Sequence, residues 1–257
     1  MSGELIALLA LVAFVAGFID ALAGGGGLLT LPALLAAGVP PVSALATNKL
    51  QGTFGTGGAF LAFARAGHVD FRRFARPALL ALIGAAAGAT VVQRVDPSFL
   101  AGFVPVLLIA MALYFLLAPA MSAVDRHARI GTGGLLLVIG AIGFYDGFFG
   151  PGTGSFLTTA LVALGGLGLV RAIAHAKFLN FVTNLASVIV LIAGGKVLWL
   201  LGGAMAVASV AGNQAGAHVA MRYGGRGVRP LLVLMSLALT VKLLSDPANP
   251  LRMALGW

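Results

Sequence analysis

GFIDALAGGGGLLTLPALLAAGVPPVSALATNKLQGTFGT, from Gly17 to Thr56, returns later in the chain as GFYDGFFGPGTGSFLTTALVALGGLGLVRAIAHAKFLNFVTN, from Gly143 to Asn184. Each copy runs through an apolar segment, one aspartate, a glycine cluster, a short apolar segment and a polar-studded helix with one lysine. Asp20 matches Asp146 and Lys49 matches Lys177; Gly24 and Gly26 match Gly152 and Gly154. A charge inside an apolar span is costly enough to mark function by default, and here four such charges stand at matched places.

The surroundings of these charges are apolar. Of 257 residues 60% are hydrophobic and 9% charged, with mean hydropathy +1.06. Soluble domains carry about 25% charged residues, so most of this surface does not face water. A hydrocarbon core about 30 Å thick takes roughly 20 residues of helix, and several runs reach that length. The fold class is an all-α polytopic membrane protein. No cleavable signal is expected, because the first apolar run opens with Glu4 and leads straight into the repeat. The net charge of +9 sits mostly in short loops, as positive-inside orientation requires, which removes nucleic acid as the partner. With no cysteine and four scattered histidines, neither a metal nor another cofactor is expected.

Ten apolar segments are predicted: 5–19, 28–37, 43–64, 77–92, 99–117, 135–144, 156–164, 172–193, 198–220 and 231–244. Ser43 is the expected N-cap of the third, and a basic loop is expected from Arg65 to Arg76. GAAAGATVVQR (Gly84–Arg94) is echoed by GNQAGAHVAMR (Gly212–Arg222), so the repeat covers nearly the whole chain. Its unit of about 128 residues is too long for a solenoid and suits duplicated transporter halves. Residues 1–120 and 131–257 are the two repeats, with 121–130 as a cytoplasmic linker. Five segments per half is an odd number, so the halves should insert with opposite orientation. Three basic loops agree, with Arg65, Arg72, Arg73 and Arg76 in the first, Arg126 and Arg129 in the second, and Arg222, Arg226 and Arg229 in the third. Alternation puts all three on the cytoplasmic side, leaving both termini outside. The segments meeting at each glycine cluster are too short to cross comfortably, which predicts broken helices or re-entrant hairpins.

The glycine loops, Gly25 and Gly26 in the first copy and Gly152, Thr153 and Gly154 in the second, lack nucleotide-loop spacing and any βαβ context. They let backbone amides converge where a following helix points its positive end, which suits an anion; close helix packing through small residues is the alternative. Lys49 and Lys177 are expected to face one central anion, or each to neutralise its own half's aspartate. Asp20 and Asp146 either carry coupling protons or accept backbone N–H bonds in the glycine turns. Asn48, Gln51, Asn180 and Asn184 read as cavity lining or as interhelical hydrogen bonds. Asn213, Gln214 and His218 form another polar stripe, while His175 and His218 read as packing residues.

These motifs resemble the sulfite exporter family TauE/SafE. The likeness rests on GFIDALAGGGGLLTLPALLAAGVPP with ALATNKLQ in one half and GFYDGFFGPGTGSF with HAKFLNFVTNLA in the other. It implies an inverted-repeat permease of the inner membrane that moves small sulfur-containing anions, mostly outward. It also implies that the glycine-rich and lysine/asparagine segments line the site. The expected partners are therefore a small anionic substrate, the lipid bilayer, and a proton or sodium for coupling, with the oligomeric state open. Rival expectations are a cation transporter of the same fold with the aspartates as ligands, an intramembrane enzyme using Asp20 and Asp146, or a non-transporting assembly protein. The enzyme lacks a nucleophile or metal constellation.

Overall fold

A computed structural model describes residues 1–117 and 124–223, together with 241 and 245. Nine α-helices and no strand occur among the described residues: α1 (Gly3–Ala23), α2 (Gly27–Ala36), α3 (Pro41–Arg65), α4 (Phe71–Val92), α5 (Pro97–Leu117), α6 (Thr132–Phe148), α7 (Thr153–Ala163), α8 (Leu169–Ala193) and α9 (Trp199–Tyr223). The expected tenth segment, 231–244, and the third basic loop beyond Tyr223 lie outside the described residues, as does part of the linker.

Local chemistry explains where the helices depart from the apolar runs. Ser2 accepts from the Leu5 amide and α1 does not stop until Gly24, whose φ of 79° needs no Cβ. At 21 residues α1 is about 32 Å long, so the expectation that it falls short of the membrane was wrong. Its neighbours across the glycine turns do fall short: α2 has 10 residues, α7 11 and α6 17. Ser43 is not the cap of α3. That helix begins at Pro41, the first-turn site that proline's fixed φ favours. Nor is Phe71–Arg76 loop. Asp70 accepts from the Arg73 amide and starts α4 there, so three arginines ride its first turns.

The small residues set how the helices meet. Gly84 and Gly88 let α4 approach the α6 backbone, and Gly212 and Gly216 let α9 approach the α1 backbone. The fourth helix of each half thus packs on the first helix of the other. Directions follow from contacts: α1 and α9 run parallel, with Phe14 by Gly212 and Ala21 by Gly216. α3 and α8 run antiparallel. Asn184 lies by Lys49, Phe181 by Gly57, Phe178 by Phe60, and the Asp70 amide donates to His175 Nε2.

The polarity is inverted relative to a soluble protein. Leu8, Leu11, Leu79, Ile83, Ile189, Leu200 and Val207 face outward, while Asp20, Lys49, Asp146, Lys177, Asn180 and Asn184 are buried. Lipid accepts the first set without cost; the second must be satisfied inside. By length and composition α1, α4 and α8 can each cross a membrane.

Candidate substrate site between the glycine turns

The two glycine clusters meet. Gly24 ends α1 in a left-handed turn, and its carbonyl accepts from the Ser155 amide at 3.3 Å. A Cβ on Gly24 would stand 2.6 Å from the Gly154 Cα, so here only glycine permits the approach. The matched Gly152 is also left-handed, at φ 85°. Tyr145 donates to the Pro151 carbonyl at 2.6 Å and pins the second turn.

Lys49 and Lys177 each stand eight residues into their helices, about 12 Å from the start. Both are 1% exposed, too deep for the ammonium to reach water. Each finds an aspartate, but not the one expected. Lys49 Nζ lies 2.7 Å from Asp146 Oδ1, and Lys177 Nζ 2.7 Å from Asp20 Oδ2. The pairs cross between the halves because each lysine side chain reaches the other half's turn region, Lys49 Nζ lying beside Gly150 as well as Asp146. A pairing within one half, considered from the sequence, is corrected by this packing.

The rest of the polar lining hangs on these pairs. Lys49 also donates to Asn184 Oδ1 at 3.1 Å, and Asn184 donates to Asn180 Oδ1 at 3.0 Å. Asn48 Oδ1 accepts from the Thr30 hydroxyl at 2.5 Å, tying α3 to α2. Asp20 Oδ1 accepts from the Gly26 amide at 3.1 Å, while Asp146 holds Lys49 through one oxygen. Thr53 and Thr183 spend their hydroxyls on their own helices. His175 sits apart, stacked on Phe74 with ring centroids 3.9 Å apart.

A cavity of about 30 Å³ lies among these groups, room for about two waters. Asn48, Lys49, Gln51, Gly26, Asp20, Asp146, Gly152, Thr153, Gly154, Asn180 and Asn184 line it. Two expected residues do not. Gly25 is buried off the cavity, and Lys177 stands behind Asp20. Two lining residues were missed as a pair, Ser209 and Asn213 of α9. Their i, i+4 spacing on an otherwise apolar helix was the available signal. Asn213 belonged to an expected stripe, yet its companions Gln214 and His218 point outward.

A family profile described as sulfite exporter TauE/SafE matches residues 9–243. The chain belongs to that family. It is 48% identical over 254 residues to a probable membrane transporter protein, ORF9, of Sinorhizobium sp, covering 98% of this chain and 97% of that one. A probable membrane transporter protein of Haemophilus influenzae is 44% identical over 246 residues, covering 95% and 96%. The probable membrane transporter protein YfcA of Escherichia coli K12 is 43% identical over 247 residues, covering 96% and 92%. No solved structure matches. As a TauE/SafE member the protein is a membrane transporter rather than an enzyme, with a small-molecule substrate and lipid around it.

Proposed function

We propose that this transporter carries a small sulfur oxyanion, such as sulfite or an organosulfonate, outward across the inner membrane. The anion would bind where Lys49, Asn48, Gln51, Asn180, Asn184, Gly26 and the Gly152–Gly154 turn surround the cavity, with Lys177 joining once Asp20 releases it. The observation that carries this is the crossed pairing. Both buried lysines are bonded to the opposite half, so any motion of one half against the other must break or remake them. An arriving anion supplies the compensation that a bared ammonium needs.

The cavity supports a gated cycle. A sulfur atom with its oxygens needs more room than about 30 Å³, so the arrangement fits a closed state that opens as substrate enters. The halves, 1–120 and 131–257 about a cytoplasmic 121–130 linker, form an inverted repeat with both termini outside. The antiparallel run of α3 and α8 supports this, because matched helices related by an axis along the membrane normal would run parallel.

The test is uptake of labelled sulfite and sulfoacetate by proteoliposomes. Lys49→Met/Asp146→Asn removes one pair without leaving a lone buried charge, and it should fold and fail to transport. Retained sulfite and sulfoacetate transport in that variant and in Lys177→Met/Asp20→Asn would remove the site from the mechanism.

A further inference from the structure

The cavity holds oxygens that the surrounding protein leaves unmatched. Asp146 Oδ2, Gln51 Oε1 and Asn213 Oδ1 are buried and, among the described residues, accept no hydrogen bond. Asp146 is 1%, Asn213 2% and Gln51 6% exposed, and all three residues line the same cavity. All three of these fully enclosed atoms are acceptors. The Asn213 amide cannot be turned to exchange its atoms. Its Nδ2 donates to the Ser209 carbonyl at 3.1 Å and to Ser209 Oγ at 3.2 Å, and a reversed amide would set oxygen against that carbonyl.

The internal repeat does not duplicate this oxygen set at the matched positions. Asp20, the counterpart of Asp146, uses both oxygens, one on Lys177 and one on the Gly26 amide. Ser209 and Asn213 stand where the first half has Ala81 and Ala85, and Gln51 where the second has Leu179.

We infer that the cavity binds a sodium ion through Asp146 Oδ2, Gln51 Oε1 and Asn213 Oδ1. A buried carbonyl or carboxylate oxygen without a donor is costly, and a hard cation takes such oxygens as ligands. A monovalent ion fits the charge. Lys49, Lys177, Asp20 and Asp146 sum to zero, so a sodium ion arriving with a singly charged anion keeps the interior neutral. A calcium site takes several carboxylates, and no group of three His, Asp or Glu suited to a metal exists among the described residues. The volume of about 30 Å³ accepts a bare ion beside a water. The inference deepens the proposed function by naming the coupling ion, and rests on it only for the coupling.

The test is thermal unfolding of the purified full chain in detergent, without substrate anion, as sodium chloride replaces choline chloride at fixed ionic strength. Sodium should raise the midpoint in a saturable way, with potassium weaker. Gln51→Leu and Asn213→Leu should abolish the rise. Should either variant fold poorly, Asn213→Asp decides, since a second carboxylate should move the response from sodium toward calcium. A wild-type midpoint indifferent to sodium, an equal rise in potassium, or a sodium rise kept in both leucine variants would overturn the inference. Sulfite uptake indifferent to sodium would overturn the coupling and leave the proposed function standing; a sodium response without sulfite uptake would leave the sodium site standing and overturn the proposed function.

Discussion

Replacing Lys49 by Met leaves the Asp146 carboxylate, 1% exposed, without its ion-pair partner. A buried ion pair broken from one side costs about 3–5 kcal/mol. Asp146 belongs at the upper end, since its second oxygen already lacks a partner among the described residues. Asp146→Asn alone should cost a similar amount by stranding the ammonium, though Asn184 still accepts from it. The double variant Lys49→Met/Asp146→Asn strands neither charge, and replacing a buried pair outright is often neutral. Its loss should therefore fall well below the sum of the singles, a coupling of about 3 kcal/mol or more by this reasoning. The assay is reversible unfolding in mixed micelles, with the four proteins compared as a cycle. Additive losses would refute the reasoning, because they would mean that the two groups do not meet across the halves. A parallel cycle on Lys177 and Asp20 should couple too. There Asp20→Leu should cost about 1–3 kcal/mol beyond Asp20→Asn, because leucine also abandons the Gly26 amide.

Gly24→Ala should be severely destabilising, since a left-handed φ of 79° is joined by backbone 2.6 Å from the new Cβ. Gly67→Ala, with a similar φ and nothing within 4 Å, should cost only about 1–2 kcal/mol in the same unfolding assay. The linker should loosen in acid. Asp125 is held below the usual carboxylate range, first by the Gly168 amide and further by Arg171 and Arg73. A lowered folded-state value means that this contact stabilises at neutral pH and is lost as pH falls through that value. Protection of the Gly168 amide from exchange, taken relative to its intrinsic rate, should fall there, and Asp125→Asn should remove that pH dependence. The chain has no cysteine, so single cysteines at exposed Val124 and Lys196 report sidedness. Val124→Cys should react with an impermeant maleimide only from the cytoplasm and Lys196→Cys only from outside; labelling from the same side would overturn the inverted arrangement.

Much of this protein can be read from its residues taken one after another. Composition alone demands a lipid-facing all-helical chain, because so few charges cannot dress a water-facing surface. The doubled glycine clusters mark both turns and their short following helices, since glycine's freedom is a local property. Four charges in apolar runs likewise announce themselves wherever the chain goes. Capping set most of the boundary differences: Asp70 and Ser2 start helices in stretches that hydropathy alone assigns to loop.

Partnership could not be read that way. Which aspartate answers which lysine depends on helices far apart in sequence. Within one copy, Asp20 and Lys49 look like neighbours, but the Lys49 side chain reaches into the other half and takes Asp146 instead. Only packing separates Asn213, turned inward beside Ser209, from Gln214 and His218, turned out on the same helix. Sequence spacing places residues on a stripe, and the neighbouring helix decides which stripe is inside.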